Sequence, residues 1–290
     1  MTAASKLATF AQQCAAAQLC KIQGQIRAAS TTATAPEVER IHQLRVAIRR
    51  FDQMGAIAKK SDAPDSNSAQ IVPLGEIMTL AGAIRNHDIA LKLVSELRDV
   101  APSECAEATS KLCSGRAQSW RLLADALEKW DAPVCETEID VPEDMPVDIE
   151  NLEFRRDVSR LLVRLSRNFI RRGNKVASHL KAAPLHKFRL AAKRFRYSME
   201  LFEPALPLKP WIDEIKCLQD LLGEANDCRA SRQLLRQYMG KRGAPKLRSA
   251  LRASQKQEAH EFQQLWDKRF GKTARAHRWL KGLKAAVEPA

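Results

Sequence analysis

The chain has 290 residues, 48 of them Lys or Arg against 34 Asp or Glu, for a formal net charge of +14, with 45% hydrophobic and 28% charged residues. That length allows a sizeable core and exceeds one simple four-helix bundle, and the composition excludes wholesale disorder. The charge bounds the partner's sign to an anion, leaving nucleic acid, an anionic membrane surface and polyphosphate open.

Apolar residues recur at three and four spacings almost throughout, so the elements are read as helices. Leu7, Phe10, Leu19, Ile22 and Ile26 mark the first, and Pro36 opens a second that carries His42. Turn residues at 61–67 separate it from a third helix along Leu74, Ile77, Leu80, Ile84, Leu91, Leu93 and Leu97. Pro102 starts a fourth, running to about Trp130, after which three prolines and a group of carboxylates read as an acidic linker over 131–150. The pattern then starts over, with a helix from about Asn151, a second opening at Pro184, a third from about Pro207 and a fourth after Gly243, Ala244 and Pro245. An interrupted helical tail, broken near Gly271, closes the chain. The expectation is an all-α protein with a first four-helix half at 1–130 and a second at 151–285.

The two halves share a motif without gaps. His42-Gln-Leu-Arg45-Val-Ala-Ile-Arg49-Arg50-Phe-Asp52 matches His186-Lys-Phe-Arg189-Leu-Ala-Ala-Lys193-Arg194-Phe-Arg196. At about 100° per residue, positions zero, three, seven and ten lie within a sector of about 80° on one helix face. Each face is therefore cationic, with Val46 beside Leu44 or Ile48, and Leu190 beside Phe188 or Phe195, supplying the buried side. The nearby acids Glu37, Glu39, Asp52 and Glu200 are too few to neutralise such rows. Each basic helix is followed by a second repeated element, Gly82-Ala-Ile-Arg85-Asn86-His87-Asp88 and Gly223-Glu-Ala-Asn226-Asp227, whose glycines suggest close backbone approach. Asp88 and Asp227 read as structural hydrogen-bonding partners.

Paired H-x-x-R-x-x-x-[RK]-R helices, each followed by Gly-x-x-[RN]-[ND], resemble the CHAD family, the conserved histidine α-helical domain, over about residues 1 to 285. The resemblance implies two four-helix bundles about a pseudo-two-fold axis, a central basic groove or pore, and binding of inorganic polyphosphate. Asp52 departs from that family's pattern, standing where Arg is usual, so the first half is expected to grip phosphate less strongly. Lys193 replaces a usual Arg, exchanging a bidentate fork for a point charge. Some relatives carry a triphosphate tunnel domain marked by E-x-E-x-K; the nearest string, Glu136-Thr-Glu138-Ile-Asp140, ends in Asp, and that activity is not carried over.

The expected phosphate donors are His42, Arg45, Arg49, Arg50, His186, Arg189, Lys193, Arg194 and Arg196. Arg160, Arg164, Arg167, Arg171 and Lys175, continuing a row from Arg156, are expected flanking contacts, and Arg85 a further one. Arginine offers paired, charge-assisted bonds to phosphate oxygens, and polyphosphate has no base, sugar or apolar face to recognise. Bound phosphate would drive both imidazoles toward protonation while neighbouring arginines oppose it in the empty protein, so binding is expected to take up protons and strengthen from about pH 8 to 6.

Three rivals share the composition. A backbone-directed nucleic-acid binder is disfavoured by 6% aromatic content, with only Phe51, Phe195 and Tyr197 near the rows. An enzyme is disfavoured because no P-loop, HExxH or metal-spaced acid/His cluster occurs, so neither catalytic residues nor cofactor nor metal is expected. A scaffold for acidic proteins would use Trp120, Trp130, Trp211, Trp266 and Trp279 as anchors, although these read better as core residues.

Cys14, Cys20, Cys105, Cys113, Cys135, Cys217 and Cys228 are odd in number and form no CxxC pair, so neither disulfides nor zinc are indicated. With no spanning apolar run and no basic lead at the amino terminus, an untargeted cytoplasmic protein, associated with polyphosphate granules, is expected, with no membrane insertion.

Overall fold

The computed structural model describes residues 5–30, 38–60, 71–130 and 150–288. All regular elements among them are helical: α1 (Lys6–Ser30), α2 (Val38–Lys60), α3 (Ile71–Glu96), α4 (Pro102–Glu128), α5 (Leu152–Ala177), α6 (Ala182–Glu200), α7 (Lys209–Met239), α8 (Pro245–Phe270) and α9 (Thr273–Val287). Pro36, the turn at 61–67, Cys135, Glu136, Glu138 and nearly all of the acidic linker fall outside the described residues.

Local chemistry sets the helix ends. Asn151 caps α5, its side chain accepting from the Phe154 amide at 3.1 Å, and prolines occupy the first turns of α4, α7 and α8. Gly240 ends α7 with φ of 78°, a conformation that glycine adopts without steric cost. α6 begins at Ala182, two residues ahead of the expected proline, which sits inside the first turn where its missing N–H costs nothing.

Three apolar clusters hold the helices together. One belongs to the first half alone, with Leu19, Ile22, Ile41, Leu44, Ile48, Ile77, Ile84 and Trp120. A second is the aromatic core of α5 to α9, where Phe169, Phe188, Phe262, Trp266 and Phe270 meet in edge-to-face and tilted ring pairs, yet it also takes in Leu7, Phe10 and Cys14 of α1 and Ile57 of α2. The third joins α3 and α4 to α7 and α8 through Ala90, Val94, Leu112, Leu235, Leu247 and Leu251. Across that seam the Glu104 carboxylate accepts from the Lys246 and Leu247 amides at 3.3 and 3.0 Å, so an α4 side chain caps α8 where the helix dipole favours negative charge.

Helices of the same rank touch: α1 meets α5, α2 meets α6, α3 meets α7, and α4 meets α8. The two basic helices are therefore neighbours, joined by the Gln53 amide donating to Ser198 Oγ at 2.8 Å. α9 lies against α5 and buries Leu283 and Val287, completing the second half with a fifth helix.

Candidate functional site

In α2 the buried stripe is Ile41, Leu44, Ile48 and Phe51; in α6 it is Leu185, Phe188, Ala192, Phe195 and Met199. The motif cations each follow a buried residue by one position, about 100° around the helix. His42, Arg45, Arg49, His186, Arg189, Lys193 and Arg196 therefore sit at the edge of the core and are half-buried. They do not form the solvent-facing row that spacing alone suggests. Leu190, expected on the buried side, is 39% exposed, and Val46 is half-buried.

The two helices bring their charges together. Lys193 is pushed down to about 7 by burial and by Arg189, Arg49 and Arg196, against the pull of Asp227. Arg45 falls to about 10 through burial and the charges of Arg49, Arg85 and Arg189, two of which come from other helices. Arg189 is lowered in the same way by burial and by Arg49 and Arg229, while Asp227 and Tyr197 oppose the shift. Burial, then Arg85, Arg49 and Lys193, depress the His42 imidazole, with Glu39 opposing them. Thus α2, α3, α6 and α7 converge on one cationic cluster, with Arg49 acting on both halves.

Some members are anchored. Arg45 Nη1 donates to the Met78 carbonyl at 3.0 Å, and the guanidinium fits against Gly82, where an added Cβ would come within 2.6 Å of Nη1. Arg189 Nε is buried and has no hydrogen-bond partner among the described residues, an unfilled donor of the kind functional sites retain. His186 Nδ1 donates to Asn226 Oδ1 at 2.9 Å, and Arg229 Nη2 donates to the same oxygen at 3.3 Å.

Two expected donors have counter-ions. Glu200 pairs with Arg50 at 3.6 Å and with Arg196 at 3.2 Å, tying α2 to α6 with one carboxylate. Arg196 also lies 5.2 Å from the centroid of the Tyr197 ring. Arg194 is exposed and acts on Asp52, whose carboxyl partial burial raises and Arg194 and Arg49 lower. Asp52 is thus linked to the opposite half, and its charge works against the cations beside it.

The repeated glycines differ. Gly82 makes room for the Arg45 side chain, not for a neighbouring backbone, whereas a Cβ on Gly223 would meet only Arg189 Nε, at 3.9 Å. Asp88 pairs with Arg116 at 2.6 Å, as a structural partner would, and His87 is buried between the Ala83 carbonyl at 2.8 Å and Tyr238 Oη at 2.9 Å. Asp227 instead faces Arg189 and Lys193 as the cluster's internal acid. Arg229 and Tyr197 also belong to the cluster; Arg229 stands in register with Asp88 and Tyr197 with Gln53, so the repeat gave no signal for them.

The α5 row is separate. Arg156, Arg160, Arg164, Arg167, Arg171 and Lys175 are all exposed, opposite the face that buries Phe154, Leu161, Leu162 and Phe169, and none of them is among the charges acting on the cluster. Arg160 pairs with Asp157 at 3.3 Å and Arg171 with Asn168 at 2.9 Å. The five tryptophans belong largely to the interior: Trp120 and Trp266 are buried, and Trp130, Trp211 and Trp279 pack against the clusters.

Among the described residues no group of His, Cys, Asp and Glu is arranged to hold a metal ion, and no helix is long and apolar enough to cross a membrane. Among curated proteins none matches the chain. The fold is similar to the crystal structure of the CHAD domain from the plant Ricinus communis, with a TM-score of 0.53 at 17% identity, over 100% of this chain and 96% of that one. The CHAD domain family model matches residues 13–236, which include both basic helices and both glycine-bearing elements. With the motif pair, the helical architecture and this match in agreement, the chain belongs to the CHAD domain family.

Proposed function

We propose that the protein binds inorganic polyphosphate in a basic channel between α2 and α6. The observation that carries this reading is the convergence of Arg45, Arg49, Arg85, Arg189 and Lys193 from three helices on one half-buried cluster, with Asp227 of a fourth as the acid that opposes the Arg189 and Lys193 shifts. Like charges at such proximity repel, and desolvation deepens the cost, so an anion that enters relieves both at once. Polyphosphate presents a negative charge on every phosphoryl unit and needs no other recognition.

Base stacking finds no support at the cluster, because Phe51, Phe195 and Tyr197 are buried. Backbone-directed binding of a nucleic acid is the second reading, favoured by the exposed α5 row. Binding without catalysis is proposed, since the cluster offers charge and hydrogen bonds but no arrangement of acid, base and nucleophile. Association with cytoplasmic polyphosphate granules is the biological expectation.

Calorimetric titration with linear polyphosphates of graded length, at two salt concentrations, tests the reading. Affinity should climb with length and fall as salt rises, and polyphosphate should displace duplex DNA at far lower phosphate concentration than the reverse. Affinity independent of length, or DNA displacing polyphosphate more readily, would overturn it.

A further inference from the structure

Beside His186 a cavity of about 300 Å³ opens between α6, α7 and α8. Its basic lining is His186, Arg229, Lys256 and His260, and no carboxylate lines it among the described residues. The N-terminus of α6 faces it through Ala182, and that 19-residue helix has no side-chain cap at Lys181. Pro184 has no N–H and the Leu185 amide donates to the Lys181 carbonyl, so the Ala182 and Ala183 amides are the uncapped donors, and the helix dipole adds positive potential at the same place.

The cavity shares side chains with the cationic cluster. Arg229 lines the cavity and also acts on Arg189, while His186 begins the row that leads through Arg189 to Lys193. Its floor is Leu185, Leu222 and Ala259, all members of the second-half core. A chain that followed the cations out of the cluster would reach this apolar floor, with exposed Lys256 and His260 at the outer rim.

Resting on the polyphosphate reading above, we infer that this cavity receives the terminal phosphoryl group of the chain. An internal phosphoryl group has two free oxygens and a single charge; the terminal one has a third free oxygen and a second ionisation. Three oxygens and extra charge suit a pocket with four basic side chains and a helix N-terminus at its rim better than a passing link does. Among the described residues the first half differs at the matched place, because Asp88 stands in register with Arg229 and is paired with Arg116. The bound chain therefore has a direction, with an end seated in the second half.

The test compares short linear polyphosphate with the same chains after both ends are blocked as methylamine phosphoramidates. The intact protein should bind free-ended chains about tenfold more tightly, a difference of roughly 1.4 kcal/mol. In a Lys256→Ala/His260→Ala variant, altered only at exposed side chains, that preference should shrink to less than about threefold, roughly half of the same free energy. Equal binding of blocked and free chains by the intact protein, or a preference that survives in the variant, would overturn the terminal site while leaving the channel standing. Inorganic phosphate titrated alone should bind far more weakly than a short chain; matching affinity would show a site for free phosphate instead. If neither form of the chain binds, the polyphosphate reading itself fails.

Discussion

The two copies of the basic motif occupy matching places in the fold but are held differently. Arg45 is locked, donating to the Met78 carbonyl and filling the space left by Gly82, whereas Arg189 has an unfilled Nε and open room beside Gly223. At the next cation, a permanently charged Arg49 in the first half faces a titrating Lys193 in the second. One turn further, Asp52 in the first half answers Arg196 in the second. The first copy is thus a rigid charge, and the second an adjustable one that shares its neighbourhood with the internal acid Asp227. The first copy serves as the frame and the second as the responsive partner.

Removing the frame and the partner together should have the largest effect. An Arg45→Ala/Arg189→Ala variant should bind polyphosphate at least about 100-fold more weakly by calorimetry, since each arginine gives charge-assisted bonds of roughly 1.5 to 3 kcal/mol. Its melting temperature should fall little, because mutual repulsion among the cluster cations is relieved as packing is lost. Unchanged affinity would show that ligand does not enter between α2 and α6.

The titrating lysine makes the comparison pH-dependent. In the empty protein Lys193 loses its proton near pH 7, and bound phosphate raises its pKa, so binding takes up a proton above that pH. Affinity should therefore decline as pH rises through and above about 7, and calorimetry in buffers of different ionisation enthalpy should register the uptake. His42, also depressed when the site is empty, should add uptake at lower pH. Lys193→Arg, with a charge that does not titrate there, should flatten the profile above neutrality; an unflattened profile would place the proton elsewhere. The same depressed pKa predicts that the ligand-free protein gains stability between about pH 7 and 10, where the unfolded chain still holds the Lys193 proton and the folded chain has released it.

The smallest contrast lies in the glycines. Gly82→Ala should displace the Arg45 guanidinium and weaken binding several-fold, whereas Gly223→Ala should leave affinity close to normal and raise stability by about 0.5 to 1 kcal/mol through helix propensity. Equal effects in the two halves, measured by calorimetry and thermal melting, would remove the distinction between locked and open arginines.

The helices were legible because their signals are local: periodic Leu and Ile, Asn151 at a cap, prolines in first turns. The motif pair was legible because it recurs in register. What escaped depends on rotation and on partners far apart in sequence. A spacing of three, seven and ten says that residues share a face, but not that this face abuts the core by a single position, so the rows read as outward when they are half-buried. Glu200 is one of the acids read as too few to neutralise the rows, yet contact between α2 and α6 lets it serve Arg50 and Arg196 together. The α5 ladder has the most regular charge spacing in the chain and lies apart from the cluster, since regularity reports a helix face and not what that face meets. Gly82 and Gly223 look alike in sequence because the side chain that distinguishes them arrives from another helix.

Two of the three apolar clusters draw residues from both halves, and Glu104 of one half caps a helix of the other. Neither repeat, expressed by itself, would have a complete interior, and melting should proceed as a single cooperative event. Each copy serves as part of the other's lining, so a ligand that clamps α2 to α6 should tighten both.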